Sequence, residues 1–145
     1  MSSKLYESVM VQLITDQKLA EATTSCLRRG TASRAAAVVD GVLDIQPSIV
    51  YVNGSVGCTG AMGSCGCCHA EQRLVVDLLR RPVSPKRVLL STLEPCQSCA
   101  NLVVESALFD VVAWLMAYRG GLGRQVLVNA GIACVSPETP FVRVK

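Results

Sequence analysis

A chain of 145 residues, half of them apolar and 17% charged, has the size and composition of one folded domain, which excludes a disordered polypeptide. A net charge of +3, six aromatic residues and no basic run longer than two argue against a nucleic-acid partner. No apolar run approaches the ~18 residues of a membrane span, and the start MSSKLYESVMVQ lacks a signal-peptide pattern, so a cytoplasmic protein is expected.

Residues 4–28 carry a helical pattern, with Leu5, Val9, Leu13 and Ile14 on an apolar stripe. Arg28-Arg29-Gly30 reads as the end of that helix. Residues 34–39 and 48–52 read as strands, and Asn53-Gly54 as a turn. A loop rich in glycine and cysteine covers 55–68. A helix is expected from His69 to Arg81, where Pro82 stops it. Residues 86–92 form the next strand, and Pro95 opens a helix over 96–108. A strand over 110–116, a loop over 120–123, a short helix over 124–129 closed by Gly131, and a strand over 132–135 complete the chain. No repeat or linker divides it, so residues 1–145 are expected to form one domain. Helix and strand alternate, which predicts an α/β fold with a mixed sheet. The apolar runs 88–90 and 111–115 fit strands buried on both faces.

Two motifs carry the chemistry. His69-Ala70-Glu71 lies at an expected helix start, and Pro95-Cys96-Gln97-Ser98-Cys99 lies at another. Residues three apart share a helix face, so Cys96 and Cys99 present both sulfurs to one point. A helix N-terminus favours the thiolate. One imidazole and two thiolates make a three-ligand zinc site, and catalytic zinc keeps its fourth position open. Glu71 follows His69 by two and points elsewhere, as a carboxylate that moves protons beside the metal must. HxE followed by PCxxC is the pattern of zinc deaminases. The competing reading of the CxxC as a redox pair leaves His69 and Glu71 unexplained. A purely structural zinc site needs a fourth protein ligand.

With these motifs the sequence resembles the deoxycytidylate deaminase branch of the cytidine deaminase superfamily, from about Arg34 to Val135. The resemblance rests on the HAE motif, on Ser91-Thr92-Leu93-Glu94-Pro95-Cys96, on Ala100, and on the tail Tyr118, Gly123, Leu127 and Ala130-Gly131-Ile132. It implies a three-layer α/β/α fold with about five strands and a Zn2+ site between two helix starts. It implies hydrolytic deamination of a cytosine nucleotide, dCMP to dUMP plus ammonia, with Glu71 shuttling the proton. Asn53 falls where the family contacts the sugar, though it is equally a turn residue before glycine. Tyr118 is a candidate for the base pocket, and Arg119 and Arg124 for the phosphate. Backbone N–H groups near Ala70 and Cys96 are candidates to stabilise developing negative charge. The resemblance also implies a homo-oligomer. Residues 33–38 and 54–68 depart from the family pattern.

Eight cysteines without an export signal point to metal binding or burial rather than disulfides. Cys58, Cys65, Cys67 and Cys68 could form a second, structural metal site, although CxC and CC spacings chelate less well than CxxC. They could equally be small apolar residues in a tight loop. Three other functions share the motifs. One is a deaminase of another amino-heterocycle, such as guanine, a modified cytosine nucleotide or a tRNA adenosine. Another is an editing enzyme acting on single-stranded nucleic acid. The third is a zinc-stabilised interaction module without activity.

Overall fold

The computed structural model describes residues 4–21, 31–39, 42–45, 49–54, 67–80, 87–117, 120–136 and 141–142. Helix α1 (Lys4–Glu21) leads into β1 (Ala32–Val39), β2 (Val42–Asp44) and β3 (Tyr51–Val52). Then come α2 (Ala70–Arg80), β4 (Val88–Leu93), α3 (Gln97–Ser106), β5 (Val111–Ala117), α4 (Leu122–Asn129), β6 (Ala133–Val135) and β7 (Phe141–Val142). Two short strands, β2 and β7, lie outside the sequence expectation, and the end expected at Arg28–Gly30 lies outside the described residues.

The strands form one mixed sheet in the order β2-β1-β4-β5-β6. Strand β3 also pairs with β1, and β7 with β5. Both β2 and β3 lie antiparallel along the outer edge of β1, at its two ends. Strands β6 and β7 likewise share the far edge of β5, but both run parallel to it. Among the described residues seven strands therefore fill five positions, in keeping with the expected count. Strand β4 is antiparallel to β1 and parallel to β5.

Strand periodicity divides the core in two, because successive side chains face opposite ways. Val88, Leu90, Val111, Ala113 and Leu115 meet Tyr6, Met10 and Leu13 of α1 on one face. Leu89, Val112 and Trp114 meet Leu74, Val75, Ala100, Val103 and Leu127 of the other three helices on the opposite face. The buried stripe of α1 is thus Tyr6, Met10 and Leu13, with Val9 and Ile14 partly buried beside it. The aromatic and the thioether go deeper than the sequence stripe anticipates. Helix α4 ends as Gly131 suggests. With φ at +81°, Gly131 donates to the Val128 carbonyl while Ile132 donates to Leu127. This pair of bonds closes a helix through a left-handed residue, where glycine pays no steric penalty. No helix among the described residues is long and apolar enough to cross a membrane.

One charge is buried in the α1 face. Arg34 is 3% exposed, and its Nη2 bonds Asp16 Oδ2 at 2.6 Å. Among the described residues its Nε and Nη1 have no hydrogen-bond partner. The Gln12 side-chain amide, and then Arg34, hold the Asp16 carboxyl below its ordinary range. A carboxyl lowered in the folded state adds stability above its unfolded pKa and loses it as pH falls through the folded value. Asp16→Asn is expected to cost about 1–2 kcal/mol at neutral pH, between the values for breaking an exposed and a buried pair, because Asp16 keeps some solvent. The same variant should flatten the acid limb below about pH 4, read by urea unfolding at several pH values. An unchanged limb would assign the acid sensitivity to other carboxylates.

Candidate metal centre and active site

His69 stands at the N-cap of α2. Its carbonyl accepts from the Arg73 N–H at 3.0 Å, and its own N–H donates to Gln72 Oε1 at 2.9 Å. A side chain at the third helical position reaching back to the cap is one half of a capping box. The next donor, Ala70 N–H, goes to Asn53 Oδ1 at 2.7 Å. The first amides of the helix are satisfied by these neighbours. The imidazole is therefore not needed as a cap and can turn toward α3.

Cys96 is the N-cap of α3, with extended backbone and no side-chain capping bond. Its carbonyl accepts from Ala100 N–H at 2.9 Å, so Cys99 falls on the first turn and is fully buried. Pro95 precedes the cap rather than opening the helix. The approach of α4 fixes this segment from outside. A Cβ on Gly123 would stand 1.9 Å from the Pro95 carbonyl oxygen, so only glycine allows the two backbones to touch.

These helix starts bring three donors together. His69 Nδ1 lies 3.0 Å from Cys99 Sγ and 3.6 Å from Cys96 Sγ. All three donor atoms lie within 4.8 Å of one another. Zinc–sulfur bonds of ~2.3 Å and zinc–nitrogen bonds of ~2.0 Å give a tetrahedron with edges of about 3.5–3.8 Å, so the set fits one such ion. Among the described residues this is the one His, Cys, Asp or Glu group with metal-binding spacing. The Cys96 thiol is drawn down to about 3, first by the hydrogen bond from Cys99, and then by those from His69 and Ser98. The same Cys99–Cys96 bond, followed by burial, pushes the Cys99 thiol up. Two sulfurs so placed share one proton readily, and a cation takes the place of that proton.

Glu71 lies beside the cluster, 3% exposed on the first turn of α2. Burial pushes its carboxyl above the ordinary range, against the backbone amide and His69, which pull it down. It stands two residues after His69 on the same helix start, and the Cys99 thiol contributes to holding its carboxyl down. A carboxyl whose charged form is disfavoured by burial holds a proton more readily than an exposed one, as a group that takes and returns protons needs.

The remaining candidates divide. Asn53 uses its side-chain carbonyl to hold the start of α2. The Ala70 N–H is committed to that carbonyl and is not available to stabilise an anion in this arrangement. Arg124 is exposed on α4, and its charge is felt by buried Glu94. Tyr118 and Arg119 lie outside the described residues, as do Cys58 and Cys65. Cys67 is half-buried and Cys68 exposed, neither in the donor cluster. The buried hydroxyls of Ser33 and Ser91 escaped the sequence reading. The only signal was a pair of adjacent polar residues in each of two otherwise apolar strands, Ser33-Arg34 and Ser91-Thr92.

The family model for the cytidine and deoxycytidylate deaminase zinc-binding region matches residues 14–115. Among solved structures, the dCMP deaminase from the cyanophage S-TIM5 in complex with dCMP and dUMP superposes with a TM-score of 0.70 at 20% identity. That match covers 94% of this chain and 99% of the phage chain. A deaminase/reductase from Thermotoga maritima, named for diaminohydroxyphosphoribosylaminopyrimidine, gives a TM-score of 0.62 at 20% identity, over 92% of this chain and 36% of that one. At such identities the likeness is one of fold. No curated protein sequence matches the chain.

Two outcomes are expected. Gly123→Ala must displace Pro95 or α4, at about 1–3 kcal/mol of overpacking. It should also release zinc earlier to a competing chelator, and an unchanged melting temperature would show that α4 does not clamp the cysteine segment. Cys99→Ala should leave the purified chain nearly free of zinc by elemental analysis, while Cys68→Ala leaves zinc content unaltered.

Proposed function

The chain belongs to the cytidine and deoxycytidylate deaminase zinc-binding family, and from that membership we propose that it hydrolytically deaminates a cytosine nucleotide, most simply dCMP to dUMP and ammonia. The observation that carries the reading is the buried Glu71 carboxyl beside a three-donor His69, Cys96 and Cys99 cluster. Three protein donors leave a tetrahedral ion one position for a reactant. We assign the three to Zn2+, which when bound supplies a Lewis acid that acidifies water. Glu71 takes a proton from the attacking water and delivers it to N3 of the cytosine ring, while oxygen bonds to C4. It then takes the remaining proton from the new C4 hydroxyl and passes it to the exocyclic amine; the C4–N bond breaks, ammonia leaves and C4 becomes a carbonyl. A carboxyl raised by burial suits both halves of this transfer. Burial of Glu71 and Cys99, beside the half-buried His69 and Cys96, limits the access of bulk water to the proton.

The choice of dCMP is supported by the phage enzyme, whose name and bound nucleotides are dCMP and dUMP and whose whole length this chain matches. The tail at Leu127 and Ala130-Gly131-Ile132 supports it as well. Arg124, exposed on α4, and Arg119 are the phosphate candidates, and Tyr118 the base candidate. The Thermotoga neighbour makes a phosphoribosyl aminopyrimidine the second substrate to try.

Glu71→Gln keeps the shape and the metal donors but cannot move a proton. Turnover of dCMP should fall roughly 10³-fold with zinc content intact. Ammonia release measured on the same preparation as metal content checks this. Undiminished release by Glu71→Gln would remove Glu71 from the reaction.

A further inference from the structure

Strand β1 sends alternate side chains to opposite faces. Arg34 goes to α1, and Ser33 goes to α2. Ser33 is fully buried, with its Oγ 3.4 Å from Glu71 Oε1 and 3.4 Å from Ser91 Oγ. The β1–β4 register sets Ser33 directly across from Ser91. Ser91 donates its own proton to the Leu93 carbonyl at 2.8 Å.

A hydroxyl has one proton to donate and two lone pairs to accept with. The Ser91 proton is committed to Leu93, so toward Ser33 it can only accept. The Ser33 proton therefore has two acceptors, Ser91 and Glu71. A carboxylate is the stronger one, because hydrogen bonds to charged acceptors are roughly twice as strong as neutral ones. The 3.4 Å separations exceed the ~2.7 Å of a closed O–H···O bond. Bonds around catalytic groups commonly stand long without substrate and tighten in the complex.

We propose that Ser33 is a positioning residue for Glu71. Its hydroxyl, backed by Ser91, ties one carboxylate oxygen to the sheet and leaves the other to face the His69, Cys96 and Cys99 cluster. The inference rests on the deaminase reading for its consequence, but not for the hydrogen bond itself. Ser33 touches no substrate in this account. It acts through the orientation of Glu71, so its loss should lower kcat and leave KM alone.

Two variants with the same side-chain shape separate the hydroxyl from packing. Ser33→Thr keeps it, and Ser33→Val replaces it with a methyl group. Both carry the same added bulk, and melting temperature and zinc content establish that both are folded and loaded. With dCMP, Ser33→Val is expected to fall roughly tenfold or more below Ser33→Thr in kcat, with similar KM. Infrared difference spectra of the pair should show a shifted carboxylate stretch that vanishes when Glu71→Gln is added to both. Equal kcat values, or a band that survives Glu71→Gln, would overturn the proposal. If the wild-type chain turns over no cytosine nucleotide, the deaminase reading fails on that result alone. The infrared band still decides whether Ser33 holds Glu71.

Discussion

Two helices can present their first turns to one point only if the strands that lead to them end at the same level. Here β1 sets that level. Strands β3 and β4 flank it on opposite edges, and both run antiparallel to it. Val52 at the end of β3 pairs with Ala32, and Ser91 near the end of β4 pairs with Ser33. The chain therefore leaves both strands at the start of β1, where α2 and α3 begin. Arg73 fastens α2 to this edge by donating to the Val52 carbonyl at 2.7 Å. The carboxyl ends of strands in an open α/β sheet are where ligands ordinarily bind. Ser33, between the two strand ends, is the one β1 side chain that reaches Glu71 through a hydrogen bond.

The same convergence concentrates groups that are costly to bury. Glu71 and Glu94 are both buried carboxyls pushed up by desolvation, and Glu94 Oε2 has no hydrogen-bond partner among the described residues. Cys96 is held toward the thiolate beside them. Negative charge collected at two helix N-termini is favoured by the helix dipoles, but only in part. A divalent cation held by the three donors would neutralise what remains, and its binding free energy would become folding free energy. The apolar layers on both faces of β4 and β5 supply the rigidity that holds such a site together.

Much of this was legible in the sequence, for reasons that differ by residue. The HAE and PCQSC motifs are local, and three-residue spacing on a helix start needs no tertiary knowledge to place two sulfurs together. The long apolar strands at 88–93 and 111–117 announced a buried sheet. Strands β2 and β7 did not announce themselves, because two or three residues carry no periodicity. Ser33 and Ser91 are 58 residues apart and meet only through strand register, which composition does not encode. Asn53 read equally well as a turn residue or a sugar contact. The structure gives its carbonyl a third task, holding the first amide of α2. Gly123 resembled an ordinary family position until its contact with Pro95 gave it a steric reason.

Three protein donors, and only three, are proposed to hold one zinc ion beside Glu71. X-ray absorption at the zinc edge of the purified chain tests it most directly. The account predicts two sulfurs, one imidazole nitrogen and one light atom around the metal, with the light atom exchanged when a cytosine-nucleotide analogue binds. A shell of three or four sulfurs would contradict it. That result would bring the cysteines ahead of His69 into the coordination sphere, close the reactive position and make the site structural.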